Sequence, residues 1–130
     1  LSLQDIPEKM VLLNVFASWC SACNQEQNFL VSLAKDNRIA IYGIDFQDQQ
    51  AAAQQYLNIR ANPYQRVFQD QDGAIAIALG VWGAPESFLI APDKTILAKY
   101  AGPLNQQVWQ KKFVPILTAY KHQHEQGGAA

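Results

Sequence analysis

A cysteine pair at the passage from an apolar segment into an amphipathic one constrains this chain more than any other feature. Residues 10–17 form a near-continuous apolar run, interrupted by Asn14, and are typical of a strand covered on both faces. Residues 22–35 then carry apolar side chains at helical spacing. The sequence WCSAC at positions 19–23 lies between them. The pattern predicts two cysteines in the first turn of a helix that follows a buried strand.

The rest of the chain alternates between strand-like and helical patterns. Further strands are expected over residues 39–46, 64–69, 87–90 and 95–100. One helix is expected over residues 49–58 with Asp48 as its cap, and another from Asn105 to about residue 122, kinked by Pro115. Residues 74–80 are compatible with a strand or a short helix. The order predicts one α/β domain with a mixed central sheet and helices on both faces.

Composition excludes several classes of protein. The 130 residues are 49% hydrophobic, so a single core can form without disulfides or metals as staples. The net charge of −1 argues against a strongly basic nucleic-acid binder, and no nucleic-acid partner is expected. No apolar run approaches the roughly 18 residues that a membrane span requires. Because the chain begins at Leu1 rather than Met, we expect a signal or membrane anchor upstream of it.

The cysteine spacing is that of a redox-active disulfide. Thiols three positions apart in a first helical turn can close a small ring, and the N–H groups and dipole at a helix N-terminus stabilise a thiolate. Cys20 is predicted to be the nucleophile and the more exposed of the two thiols, and Cys23, one turn deeper, the resolving thiol. A zinc half-site would need further ligands, and we interpret His122 and His124 as solvated tail residues. No metal is therefore expected, and no bound flavin or nicotinamide cofactor either, because no G-x-G-x-x-G motif occurs.

These motifs resemble those of the thioredoxin fold. The segment LLNVFASWCSAC matches its strand and W-C-x-x-C pattern, and Pro85, just before the strand at 87–90, matches its cis-proline facing the cysteines. Closer similarity is to the CcmG/DsbE branch, the thioredoxin-like proteins of cytochrome c maturation. That similarity is carried by GVWGAPESF at 80–88, NPY at 62–64 and Glu26 three residues after the second cysteine. Ser21 stands where this branch often has Pro, a difference that bears on the redox potential.

The resemblance implies domain limits, a function and a location. It places a thioredoxin-like domain at residues 10–122, between a lead-in at 1–9 and a flexible tail at 123–130. It implies a periplasmic thiol–disulfide oxidoreductase that reduces the thiols of apocytochrome c or of its carrier proteins. A membrane thiol reductase would recharge the pair, and a membrane tether would lie upstream. A broad thiol reductase, a weak oxidant and a chaperone that binds apocytochrome with little turnover stay open as alternatives.

Two acids are expected to modulate the thiols. Glu26 follows Cys23 by one helical turn and is placed to receive its proton; the alternative is an exposed residue on an amphipathic helix. Glu86 shares a strand face with Phe88 and Ile90, which suggests a place near the thiols; the alternative is a solvent-facing position at the strand start. A carboxylate near either thiol raises its pKa by repulsion.

Other residues around the pair carry open interpretations. Asn14 stands where thioredoxin has a buried acid, so it lies near the resolving cysteine or is a polar residue satisfied within its strand. Trp19 is expected to pack beside Cys20 and lower the local polarity. Trp82 and Tyr64 either line a groove around the cysteines or belong to the core.

Overall fold

A computed structural model describes residues 3–37 and 39–129. Within these residues five strands form one sheet in the order β3-β2-β1-β4-β5. They are β1 Val11–Phe16, β2 Ala40–Phe46, β3 Arg66–Asp70, β4 Glu86–Ile90 and β5 Ile96–Ala101. β1 pairs in parallel with β2 and antiparallel with β4, β2 pairs in parallel with β3, and β4 pairs antiparallel with β5. The sheet is therefore mixed, as predicted, and the strand before the cysteines lies at its centre.

The helices also follow the predicted order. They are α1 Ser21–Lys35, α2 Gln50–Arg60, α3 Ala74–Ala78, α4 Gln106–Val108 and α5 Val114–Ala129, with a π-helical stretch, Trp109–Phe113, between the last two. Asn105 caps α4 as expected, because its Oδ1 accepts the Val108 N–H at 2.8 Å. No helix of the described residues combines the length and apolar character needed to cross a membrane.

The structure resolves or corrects three expectations about helices. The ambiguous residues 74–80 contain the helix α3, not a strand. Pro115 is the second residue of α5, and α5 directly follows the π-helical stretch. The change from π-helical to α-helical winding at this point accommodates a residue without a backbone N–H. The expected end near residue 122 is wrong, since α5 continues to Ala129 and residues 123–129 contain no proline.

The prediction that Asp48 is the N-cap residue of α2 is wrong. The N-cap residue of α2 is Gln49, which makes no side-chain capping bond. The Asp48 carboxylate accepts the N–H of Gln49 but turns mainly toward Ser18, which offers it both a backbone N–H and a hydroxyl. The helix also runs to Arg60, beyond the predicted end, and the following strand starts at Arg66 rather than at residue 64.

Alternation along β1 divides the core into two parts. Leu12 and Phe16 pack on the side covered by α1, α2 and the C-terminal helices, and both cysteines belong to this part. Val11, Leu13 and Val15 pack on the other side, where α3 lies. All six residues of β1 are buried, which explains why the strand is apolar at nearly every position.

Two aromatic rings pack so closely against β2 at position 43 that only glycine fits there. A Cβ at Gly43 would lie 2.9 Å from Tyr64 Cδ1 and 3.0 Å from Phe16 Cε1. These two rings are buried and stack with centroids 4.7 Å apart, so neither can swing into open space. The glycine therefore lets the Tyr64 ring lie flat on the middle of β2.

We expect Gly43→Ala to lower the free energy of unfolding by about 1–3 kcal/mol, because the added methyl overpacks a closed region of the core. Gly83→Ala is the matched control, since a Cβ there meets nothing within 4 Å. Urea unfolding of the oxidised protein measures both variants. Equal midpoints for the two variants would show that the Tyr64 ring is not held as described.

Candidate active site

The cysteine pair lies at the start of α1, as predicted. A disulfide joins Cys20 and Cys23. Cys20 is the N-cap residue, and its Sγ accepts the backbone N–H of Cys23 at 3.2 Å. Both residues are buried, Cys20 at 5% exposure and Cys23 at 1%. Because the helix N-terminus directs an N–H and its positive dipole at Cys20 Sγ, a thiolate formed there is stabilised.

The segment before β4 packs against the sulfur of Cys20. The Ala84–Pro85 peptide bond is cis, the isomer that the resemblance to the thioredoxin fold implies. The carbonyl oxygen of Ala84 lies 3.5 Å from Cys20 Sγ. The first sulfur of the pair therefore lies against the cis peptide unit that precedes β4.

Asn14 is at the centre of a buried hydrogen-bond network. Its Nδ2 donates to Glu26 Oε1 at 2.8 Å and to Ser87 Oγ at 3.0 Å, while its Oδ1 accepts the Tyr64 hydroxyl at 2.6 Å. The amide nitrogen can only donate and the amide oxygen can only accept, so these bonds fix the orientation of the side chain. Asn14 is thus satisfied by partners outside its own strand, and one of them is the acid that follows Cys23 by one helical turn.

Glu26 is not the exposed helix residue of the alternative interpretation. Its side chain is fully buried, and its Oε2 accepts the backbone N–H of Leu104 at 2.9 Å. Burial raises the pKa of Glu26 from 4.5 to about 7, and the bonds from Leu104 and Asn14 oppose this rise only in part. At neutral pH the group therefore exists in both protonation states, one helical turn from Cys23.

Glu86 occupies a different environment from Glu26. It shares the face of Phe88 and Ile90, as the alternation predicted, and it is buried, so a solvent-facing position is wrong. Its Oε1 lies 3.4 Å from Lys99 Nζ. This is the face of the sheet opposite Asn14. A modulating role of Glu86 on the thiols stays a prediction.

The aromatic residues differ from one another in burial. Trp19, 56% exposed, donates its indole N–H to the Gln47 carbonyl at 3.0 Å and tilts against the ring of Phe46. Trp82 is 86% exposed, so it is not part of the core. Tyr64 is buried, and its hydroxyl is the donor to Asn14 described above.

Sequence reasoning missed several members of the site. Ser87 and the Tyr64 hydroxyl join the network only because the sheet brings them to Asn14, which no local spacing predicts. Asp45 was also missed, although a charged residue within the apolar run 39–46 was a signal for it. No group of three or more His, Cys, Asp or Glu side chains suited to a metal occurs among residues 3–37 and 39–129.

A disulfide at the start of the helix after the central strand, with a cis-proline beside it, defines a thioredoxin-like redox site. The chain belongs to the AhpC/TSA family, whose model matches residues 1–99. It is 41% identical over 121 residues to the thiol:disulfide interchange protein DsbE of Yersinia pestis, covering 93% of this chain and 61% of that protein. It is 43% identical over 112 residues to the thiol:disulfide interchange protein CycY of Rhizobium leguminosarum bv. viciae, covering 86% and 60%.

The fold has relatives among solved structures as well. A secreted Mycobacterium tuberculosis disulfide oxidoreductase, described as homologous to E. coli DsbE, superposes with a TM-score of 0.69 at 21% identity, covering 80% of this chain and 79% of that one. At this identity the similarity concerns the fold. The chain spans about three-fifths of the length of the curated relatives it matches.

The raised pKa of Glu26 predicts how stability depends on pH. Because the folded state holds the Glu26 proton more tightly than the unfolded state, this stabilisation is complete below pH 4.5 and is lost as pH rises to about 7. At about 1.4 kcal/mol per pH unit, the loss is on the order of 3 kcal/mol. We expect the unfolding free energy of the oxidised protein to fall by this amount relative to Glu26→Gln.

Denaturant unfolding of the oxidised forms between pH 4 and 8 measures this difference, because the disulfide-bonded cysteines do not titrate. Glu8→Gln removes the same charge from an exposed position and controls for net charge. A difference between wild type and Glu26→Gln that stays constant from pH 4.5 to 7 would contradict the assignment.

Proposed function

We propose that this chain is a thiol–disulfide oxidoreductase that acts as a reductant in cytochrome c maturation. Its substrates would be the haem-site thiols of apocytochrome c, or those of the carrier proteins that deliver it, in the periplasm. The observation that carries the proposal is the Cys20–Cys23 disulfide at the N-terminus of α1, with the buried acid Glu26 one turn further on. The names of the DsbE and CycY relatives support thiol–disulfide interchange as the reaction.

The first step uses the helix N-terminus. In the reduced protein the Cys20 thiolate, held by the Cys23 N–H, attacks one sulfur of a substrate disulfide. A mixed disulfide forms between Cys20 and the substrate, and the other substrate sulfur leaves as a thiolate that takes a proton. The exposed rings of Trp19 and Trp82 and the segment at Pro85 border the surface where an extended substrate segment would lie.

The second step uses the buried acid. The Cys23 thiol must lose its proton before its sulfur can attack Cys20, and Glu26 is the base that α1 places one turn away. With a pKa of about 7, Glu26 can hold this proton at neutral pH and later release it. Attack of Cys23 on Cys20 Sγ expels the second substrate thiolate and leaves the Cys20–Cys23 disulfide, so two electrons have passed to the substrate.

The remaining parts of the proposal concern partners. Each turnover leaves the protein oxidised, so another dithiol must return it to the reduced form. The resemblance to the cytochrome c maturation branch favours a membrane thiol reductase as this donor and a membrane tether upstream of residue 1. A reductant that keeps both haem-site thiols free would allow haem to be attached to them.

A peptide with an oxidised C-x-x-C-H haem-attachment motif tests the proposal directly. We expect the reduced protein to reduce it, Cys23→Ser to accumulate a mixed disulfide through Cys20, and Cys20→Ser to do neither. Mass spectrometry of the quenched reaction measures all three outcomes.

An unrelated disulfide peptide of equal length serves as the control. Binding of the haem-site peptide without its reduction would favour the chaperone alternative. Equal reduction rates for both peptides would favour a broad thiol reductase and would contradict the substrate that we propose.

A further inference from the structure

A second carboxyl group holds the turn that carries the nucleophile. Asp48, between β2 and α2, accepts the backbone N–H of Ser18 on Oδ2 and the Ser18 hydroxyl on Oδ1, both at 2.8 Å. Its Oδ1 also accepts the Gln49 N–H at 2.9 Å. Ser18 stands two residues before Cys20, whose own N–H bonds back to Ala17 at 3.2 Å. The carboxylate thus joins the turn before α1 to the turn before α2.

The same two turns are joined a second time by Trp19. Its indole N–H donates to the Gln47 carbonyl at 3.0 Å, one residue before Asp48. The carbonyl of Asp48 in turn accepts the Gln69 amide at 2.8 Å. The turn at residues 47–49 is therefore anchored to β3 on one side and supports residues 18 and 19 on the other.

A second acid, which is buried, lies three residues before Asp48 in the chain. Asp45, near the end of β2, is 0% exposed, and neither of its carboxyl oxygens accepts a hydrogen bond. As a carboxylate it would be a buried charge without a donor, which is costly. As a carboxylic acid it can donate its proton to the carboxylate of Asp48, three residues further on, which acts on it through a hydrogen bond and through its charge. Two carboxyl groups that interact in this way share a proton more readily than they carry two charges.

The groups around Asp45 agree with this arrangement. They are the carboxylate of Asp48, the amide of Gln69 and the buried phenol of Tyr64. The pKa of Asp45 is raised to about 8, chiefly by burial and further by the hydrogen bond to Asp48 and the charge of Asp48, while the Gln69 amide opposes the rise. Burial alone would raise the pKa of Asp48, but the bonds from Asp45 and Ser18 outweigh it and lower that pKa.

We propose that Asp45 and Asp48 form a carboxyl pair that positions the turn presenting Cys20. Both are positioning residues, since they act through Ser18 and not on the reacting sulfurs. Loss of the shared proton leaves two neighbouring carboxylates. Their repulsion weakens the two hydrogen bonds that Asp48 accepts from Ser18. The inference requires the thiol chemistry of Cys20 but not the substrate proposed above.

Nuclear magnetic resonance of the oxidised protein tests the pair, because no thiol titrates there. We expect the Ser18 amide and Trp19 indole N–H signals to shift in one step with a midpoint near pH 8, together with the Asp45 side-chain carboxyl carbon. In Asp45→Asn the amide donates to Asp48 at every pH, so the step should vanish. Glu26→Gln, which removes the other carboxyl group with a raised pKa, should leave this step in the signals unchanged.

A functional measurement on the reduced protein separates positioning from a merely structural role. The ratio of Cys20 alkylation rates, wild type over Asp45→Asn, should be flat below pH 7 and fall several-fold between pH 7 and 9. Cys20 titrates in both proteins, so its own titration cancels in the ratio. A fall in the ratio therefore reports on Asp45.

Wild-type Ser18 and Trp19 signals that do not move between pH 7 and 9 would overturn the proposal, even if Asp45→Asn does not fold. So would the same step in a folded Asp45→Asn, or a flat ratio of alkylation rates.

Discussion

The hydrogen bond between Asn14 and Glu26 is the interaction on which the rest of this site depends. It joins the central strand to the helix that carries both cysteines, at a depth where neither side chain reaches water. Asn14 uses its remaining capacity on Ser87 of β4 and on Tyr64 before β3, and Glu26 uses its second oxygen on Leu104 before α4. One buried amide and one buried acid therefore connect most layers of the domain, and loss of either would leave several polar groups without partners.

The same burial gives the site its chemistry. An exposed glutamate on α1 would be fully ionised at neutral pH and would hold no proton for exchange. Removal from water brings the pKa of Glu26 to about 7, while the bonds from Asn14 and Leu104 keep the carboxylate form accessible. The helix N-terminus acts in the opposite direction on Cys20, where it favours the anion. In the mechanism that we propose, these two environments serve different steps, attack by the sulfur of Cys20 and deprotonation of the thiol of Cys23.

Much of this arrangement could be predicted from the sequence, because local pattern carries it. The apolar run ending in W-C-x-x-C fixed the strand, the helix start and the cysteine order, and Glu26 followed from spacing on the helix. The expectations that were wrong or incomplete concern contacts between residues distant in sequence. Asp48 has the residue type and position of a helix cap, yet two donors on Ser18 claim its carboxylate. Alternation put Glu86 on the correct face, but only the sheet order shows that Lys99 lies beside it there.

The claim that Glu26 receives the proton of Cys23 is tested most directly by the rate at which Cys23 resolves a mixed disulfide on Cys20, measured by rapid quench against pH. The wild-type rate should rise with pH through a midpoint near 7, as Glu26 becomes the free base. Glu26→Gln should resolve at least about tenfold more slowly and lack that step, whereas the exposed-site variant Glu8→Gln should behave as wild type. A Glu26→Gln protein that resolves at the wild-type rate, with the wild-type pH profile, would contradict the account.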